Sequence, residues 1–250
     1  MNILLLKVTL MPSVIALITL AIRKWGNKIG GVIGSMPWVA GPILLFFILE
    51  QGKPFGIQAI QGVMTGILAL ISFCFSYSVF SQTRNWPSTL LLAYVFYTVT
   101  AVIFYYLQLN LIVSYALVMG CILLALRFFP VPTAHPPKIR QLPFDIPIRM
   151  LITTLFVLIV TGLANVLGPS WSGILTPFPI QTSILAVFSQ ILQGSYAAIT
   201  ALRGLVMGLL GFTTFLFLQA FFLPEFSVAV SFGLAFLVNA LINLIVIRIW

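Results

Sequence analysis

The side chains able to bind a solute gather around prolines. One stretch reads Gly34-Ser35-Met36-Pro37-Trp38-Val39-Ala40-Gly41-Pro42, and a second runs from Gly173 through Thr176-Pro177-Phe178-Pro179-Ile180-Gln181 to Ser183. Each proline removes an amide donor and crowds the carbonyl one turn earlier, so a helix passing through either stretch is kinked or unwound there. Carbonyls freed in this way pair with Ser, Thr and neighbouring helices or face a wet cavity, because lipid offers them no partner. Pro37, Trp38, Gly41, Pro42, Pro177, Pro179 and Gln181 are therefore candidate substrate contacts, and Trp38 either lines such a cavity or fills the space a kink opens. Gln61 and Arg203 complete the set. Arg203 lies five residues into an apolar run, roughly 8 Å deep at about 1.5 Å per residue. Two roles fit it: a charge that snorkels to the interface, or, with Arg149 and Lys7, a source of positive potential for an anionic solute. Glu50 is expected to pair with Lys53 at the surface.

Other chemistries lack their parts. The single histidine, His135, has no second imidazole, and Cys74 and Cys121 lie inside apolar runs, so no metal centre, disulfide framework or cofactor is expected. The spans hold no carboxylate pair and no Ser-His constellation, which argues against an enzyme.

These residues sit in a chain of 250 residues that is 61% hydrophobic and 6% charged, with mean hydropathy +1.19. A soluble domain carries about 25% charged residues. The lipid bilayer is thus the expected partner, and nucleic acid is excluded despite a net charge of +9, since so few charges cannot solvate a globular surface. A helix needs about 20 apolar residues to cross the hydrocarbon core. Cutting the chain at charged and Pro/Gly punctuation leaves nine runs: 3–22, 31–50, 57–80, 88–107, 110–129, 147–167, 174–193, 198–222 and 226–249. A re-entrant segment near Gln108–Asn110 would make eight. Residues 1–22 lack a charged n-region and a cleavage site, so they are read as a structural helix.

Cytoplasmic loops accumulate Lys and Arg. Arg23, Lys24, Lys28, Arg84, Arg127, Lys138, Arg140, Arg149 and Arg248 fall on one side against Lys7 and Lys53, which places the N-terminus outside and the C-terminus in the cytoplasm.

Self-similarity is the most informative feature. At a constant offset of 142 (179 − 37), Pro37 matches Pro179, Gln51-Gly52 matches Gln193-Gly194, and Ala59, Gly62 and Gly66 match Ala201, Gly204 and Gly208. Phe46 matches Phe188, and Lys7 matches Arg149. The expected architecture is all-α and polytopic. A first four-helix repeat occupies 1–109, a linker transmembrane helix 110–129, a cytoplasmic loop 130–146, and a second four-helix repeat 147–250. One unpaired crossing between the halves inverts the second relative to the first, an arrangement typical of secondary transporters. Ala59-x-x-Gly62-x-x-x-Gly66 and its counterpart have the small-residue spacing that lets helices approach closely.

Gly173, Pro177-Phe178-Pro179, Gly194 and Ala201-Leu202-Arg203 resemble the GlpM family of small bacterial inner-membrane proteins, chiefly over residues 168–222. Here the spacing from Gly194 to Ala-Leu-Arg is about one turn longer, and that family consists of single four-helix chains. The resemblance implies a bacterial inner membrane and a duplicated four-helix unit, and supplies no substrate. The expected function is a secondary transporter or permease for a small organic solute, with an anion as one candidate, working by alternating access between the inverted repeats. The alternative is a non-transporting membrane subunit or assembly factor for lipid or envelope processes. Whether it forms a homo-oligomer or binds a membrane partner is open.

Overall fold

The computed structural model describes residues 3–130 and 145–249, and all regular structure among them is helical. Ten helices follow in order: α1 (Ile3–Ser35), α2 (Ala40–Gln51), α3 (Lys53–Phe80), α4 (Trp86–Leu107), α5 (Leu111–Phe128), α6 (Asp145–Gly162), α7 (Ala164–Leu175), α8 (Ile180–Gln193), α9 (Ser195–Glu225) and α10 (Val228–Ile249). Most of the expected loop 130–146, with His135, Lys138 and Arg140, lies outside the described residues.

Where nine runs were expected, six helices are long and apolar enough to cross a membrane, or up to seven if a bent pair forms one span. The six are Ile3–Ala21, Lys53–Phe80, Trp86–Leu107, Leu111–Phe128, Ser195–Glu225 and Val228–Arg248; the pair, Ile146–Gly162 with Ala164–Leu175, bends by 119°. The shortfall has a local cause. Runs 31–50 and 174–193 are broken at their prolines, which leaves α2 with 12 residues and α8 with 14. At 1.5 Å per residue these extend only about 18 and 21 Å.

A second difference concerns residues 23–30. This polar, glycine-containing stretch was expected to be a loop, yet α1 is helical through it to Ser35. Gly26 and Asn27 keep their amide donors, and glycine in a helix costs only about 1 kcal/mol. At the positions 142 further on stand Gly168 and Pro169. Pro169 has no amide hydrogen, Gly168 takes φ 69° and ψ 172°, and the helix is interrupted.

Helices α3 and α9 are the buried centre. They pack on each other and α5 packs on both; α4 lies against α3 as α10 lies against α9, and α7 lies against α3 as α1 lies against α9. Contact between α3 and α7 is backbone to backbone. A Cβ on Gly62 would overlap the Ser170 carbonyl, one on Gly173 would overlap the Ala59 carbonyl, and Pro177 occupies the space above Gly66. The small-residue ladder of α3 thus serves packing within the chain. Between α4 and α5 the chain reverses through Gln108, at φ 42°, and Asn110 caps α5 by accepting from Val113 N at 2.9 Å.

Element boundaries recur at the offset found in the sequence. Helices α2 and α8 end at Gln51 and Gln193 (193 − 51 = 142), α3 and α9 begin at Lys53 and Ser195, and α4 and α10 each span 22 residues from Trp86 and Val228. Both α2–α3 and α8–α9 turn on one glycine, Gly52 at φ 91°, ψ 162° and Gly194 at φ 82°, ψ 178°.

Candidate functional site: a cavity between two helix breaks

The prolines produce full breaks, and both have one design. Met36 N bonds to Ile33 O at 3.2 Å and Phe178 N to Leu175 O at 3.0 Å; Trp38 N then bonds to Met36 O, and Ile180 N to Phe178 O, each at 2.7 Å. These last bonds close three-residue γ-turns centred on Pro37 and Pro179, whose ring fixes a φ suited to that turn. Pro179 has φ −75° and ψ 44°. The next helix restarts through Gly41 N to Pro37 O at 2.9 Å, and Ser183 N to Pro179 O at 2.8 Å.

Helix ends inside a protein need partners for their carbonyls. The Trp38 indole donates to Ile33 O at 2.8 Å, the Tyr97 hydroxyl to Ile174 O at 3.0 Å, and Thr176 Oγ1 to Ser172 O at 2.9 Å. Neighbouring side chains therefore satisfy these carbonyls, and the breaks also open onto a cavity.

That cavity, about 90 Å³, receives Met36, Trp38 and Val39 from one break and Thr176, Pro177 and Phe178 from the other. Helix α1 contributes Ile15 and Thr19, α6 contributes Arg149, Thr153 and Phe156, and α9 contributes Leu205, Leu209 and Phe212. Its first residues from α2 and α8 are Ala40 and Ile180, so two helix N-termini, the positive ends of their dipoles, border the same space. Arg149 is 6% exposed and stands over the Phe188 ring at 5.8 Å. No carboxylate lines the cavity among the described residues. Gln181 lines it too, and its amide donates to Thr153 Oγ1.

Lys7, 142 positions before Arg149, stands over Phe46 at 5.4 Å just as Arg149 stands over Phe188. It points elsewhere for its partners. Its ammonium donates to Glu50 Oε1 at 2.6 Å and to Thr161 Oγ1 at 2.7 Å. Glu50 therefore pairs with Lys7, where Lys53 was expected; Lys53 instead donates to Leu223 O at 3.1 Å and Phe226 O at 3.0 Å at the end of α9.

The candidate residues divide among three places. Trp38, Pro177 and Gln181 line the cavity, while Pro37, Gly41 and Pro42 line an adjoining groove that Trp38 also borders. Pro179 is buried as the residue before α8. Gln61 and Arg203 line neither space: the Gln61 amide donates to Leu109 O and, at 3.0 Å, to Ser114 Oγ near the start of α5, and Arg203 Nε is buried without a hydrogen-bond partner. Thr19, Thr153 and Thr182 also line the cavity and were not singled out, whereas Arg149, expected as a companion to Arg203 in supplying positive potential, lines it where Arg203 does not.

Among the described residues, no group of three His, Cys, Asp or Glu side chains could hold a metal ion. The long apolar helices and the absence of strands among the described residues place the chain in the class of all-α, multi-pass membrane proteins. In comparisons with protein-family models, curated proteins and solved structures, nothing matches it.

Proposed function

We propose that the chain is a secondary transporter for a small anionic organic solute, working by alternating access between two halves of opposite topology, α1–α4 and α6–α10, joined through α5. The observation that carries this reading is the meeting of two like-built helix breaks on one cavity that holds Arg149. Discontinuous helices at corresponding positions, with half-helix N-termini turned to an anion, are a recurrent way to bind substrate near the bilayer midplane. The shared boundaries and the exchange of packing partners support duplication: α1 lies on α9 as α7 lies on α3, with α5 against both centres. The opposite topology, the outside N-terminus and the cytoplasmic C-terminus all rest on the nine-run count and need α2 and α8 to complete crossings at their breaks; the GlpM-like stretch supports a bacterial inner membrane.

The alternative of a non-transporting subunit gains less from the structure, because the glycine face of α3 that would bind a partner helix is covered by α7. Uptake by proteoliposomes from a panel of labelled organic anions tests the proposal: accumulation that Arg149→Gln removes is expected. No uptake of any member, or reporter fusions finding both termini on one side, overturns it.

A further inference from the structure

The second cavity is larger and more apolar than the first. It is a groove of about 690 Å³ on the far side of Trp38, lined by Gly41, Pro42 and Leu45 of α2, Phe215 of α9, and Gly233, Phe236 and their neighbours on α10. Its one polar side-chain atom is the Trp38 indole nitrogen, already bonded to Ile33 O. Val230, Leu234 and Leu237 on its wall are exposed, so it opens sideways from the helix bundle, where a membrane protein meets hydrocarbon. A buried cation and two helix N-termini lie on one side of a single indole and a dry lateral groove on the other, so Trp38 is the wall that the polar and the apolar space share.

The corresponding place in the other half is closed. Tyr94 stacks on Phe178 at 5.6 Å and shares a 2.8 Å hydrogen bond with Ser183 Oγ, joining α4 to α8. At 142 positions' remove stand Phe236 for Tyr94 (94 + 142) and Gly41 for Ser183 (183 − 142), a pair with no hydroxyl between them. The α2–α10 side therefore stays open where the α4–α8 side is latched.

Resting on the transporter reading above, we infer that the ligand is a single-chain amphiphile with a compact anionic head, a phosphate or a carboxylate. The head lies by Arg149, and the chain passes Trp38 into the groove between α2 and α10. Arginine matches both head groups geometrically. The cavity, about 90 Å³, suits a compact head, whereas the groove, about 690 Å³, falls within the roughly 300–1,000 Å³ of ligand-binding pockets.

The full chain in phosphatidylcholine nanodiscs, titrated with 11-bromoundecyl phosphate, 11-bromoundecanoate and 11-bromoundecanol, tests this through bromine quenching of tryptophan fluorescence. Trp38→Phe assigns the signal. Both anionic probes should quench Trp38 saturably at concentrations about tenfold or more below the alcohol. Arg149→Gln should abolish that difference. Gly233→Phe, whose new side chain enters open space, should weaken all three probes. Equal quenching by alcohol and anions, or unchanged quenching in Trp38→Phe, overturns the inference. So does displacement of the bromo-anions by equal concentrations of inorganic phosphate or acetate, which would leave a transporter of water-soluble anions standing. Saturable binding with no transfer of the amphiphile between leaflets would retain this site and end the transporter reading.

Discussion

Lys7 reaches Glu50 across 2.6 Å from a side chain only 5% exposed, while Glu50 itself is 24% exposed. The ammonium also bonds Thr161, so this one group ties α1, α2 and α6 together. Removing one partner of a buried pair costs about 3–5 kcal/mol because the other charge is stranded. Here the two removals are unequal. Glu50→Ala strands a buried ammonium and should cost about 3 kcal/mol; Lys7→Met strands a carboxylate that water already reaches and should cost roughly half as much. The double variant should be no worse than Glu50→Ala alone. Unfolding midpoints of the four proteins in one detergent check this, and equal single-variant losses would refute the asymmetry.

Two glycines of similar sequence context should respond in opposite directions to alanine. Gly62 lies against the Ser170 carbonyl and the Gly173 backbone, so Gly62→Ala must push α7 off α3 and should cost about 3 kcal/mol or more. Gly120, on α5, has nothing within 4 Å of where its Cβ would stand. Gly120→Ala should be neutral or gain up to about 1 kcal/mol through helix propensity. Thermal unfolding of both variants decides the matter.

What the sequence disclosed and what it hid follow from the range of the interactions. The all-α membrane class was legible because a chain with so few charges has no other solvent, and the breaks were legible because Pro37 and Pro179 cannot donate a backbone hydrogen bond. The continuity of α1 through Arg23–Gly30 was not, because charged and glycine residues punctuate a sequence without forbidding a helix. Only Pro169 makes the later stretch different. Glu50 was assigned to Lys53, three residues away, while its partner Lys7 lies 43 positions distant. Arg203 and Gln61 align in register, but register fixes neither side chain's neighbours, and Gln61 turns to α5 rather than to the cavity. Arg149 was read both as a cytoplasmic-side charge and, with Arg203 and Lys7, as a source of positive potential, because depth along a run does not show which of the three faces a cavity.

The turns at Gly52 and Gly194 give a third expectation. With φ near 90° and ψ close to 180°, both occupy a region that is essentially restricted to glycine. Gly52→Ala and Gly194→Ala should each lose about 1–3 kcal/mol. They belong to separate junctions, α2–α3 and α8–α9, so the losses should add in the double variant. Strong non-additivity in chemical or thermal unfolding would show the two junctions coupled.

Proline replacement separates folding from transport. Pro37 and Pro179 each centre a γ-turn and lack the amide hydrogen that a continuing helix would use, so α1 and the Leu175 turn end there. Alanine at both places restores two amide donors, letting each helix run on across its break. The half-helix N-termini beside Arg149 would then be lost, while the hydrophobic length that drives membrane insertion is unchanged. Pro37→Ala with Pro179→Ala should therefore insert normally, unfold at the same temperature or slightly higher, and lose uptake by a factor of ten or more, about 1.4 kcal/mol in the rate-limiting barrier. Each single variant should keep part of the activity, because the other break still presents a helix N-terminus to the cavity. Undiminished uptake by the double variant in proteoliposomes would show that the breaks are packing features of the bundle, and the solute path would have to be sought elsewhere among the helices.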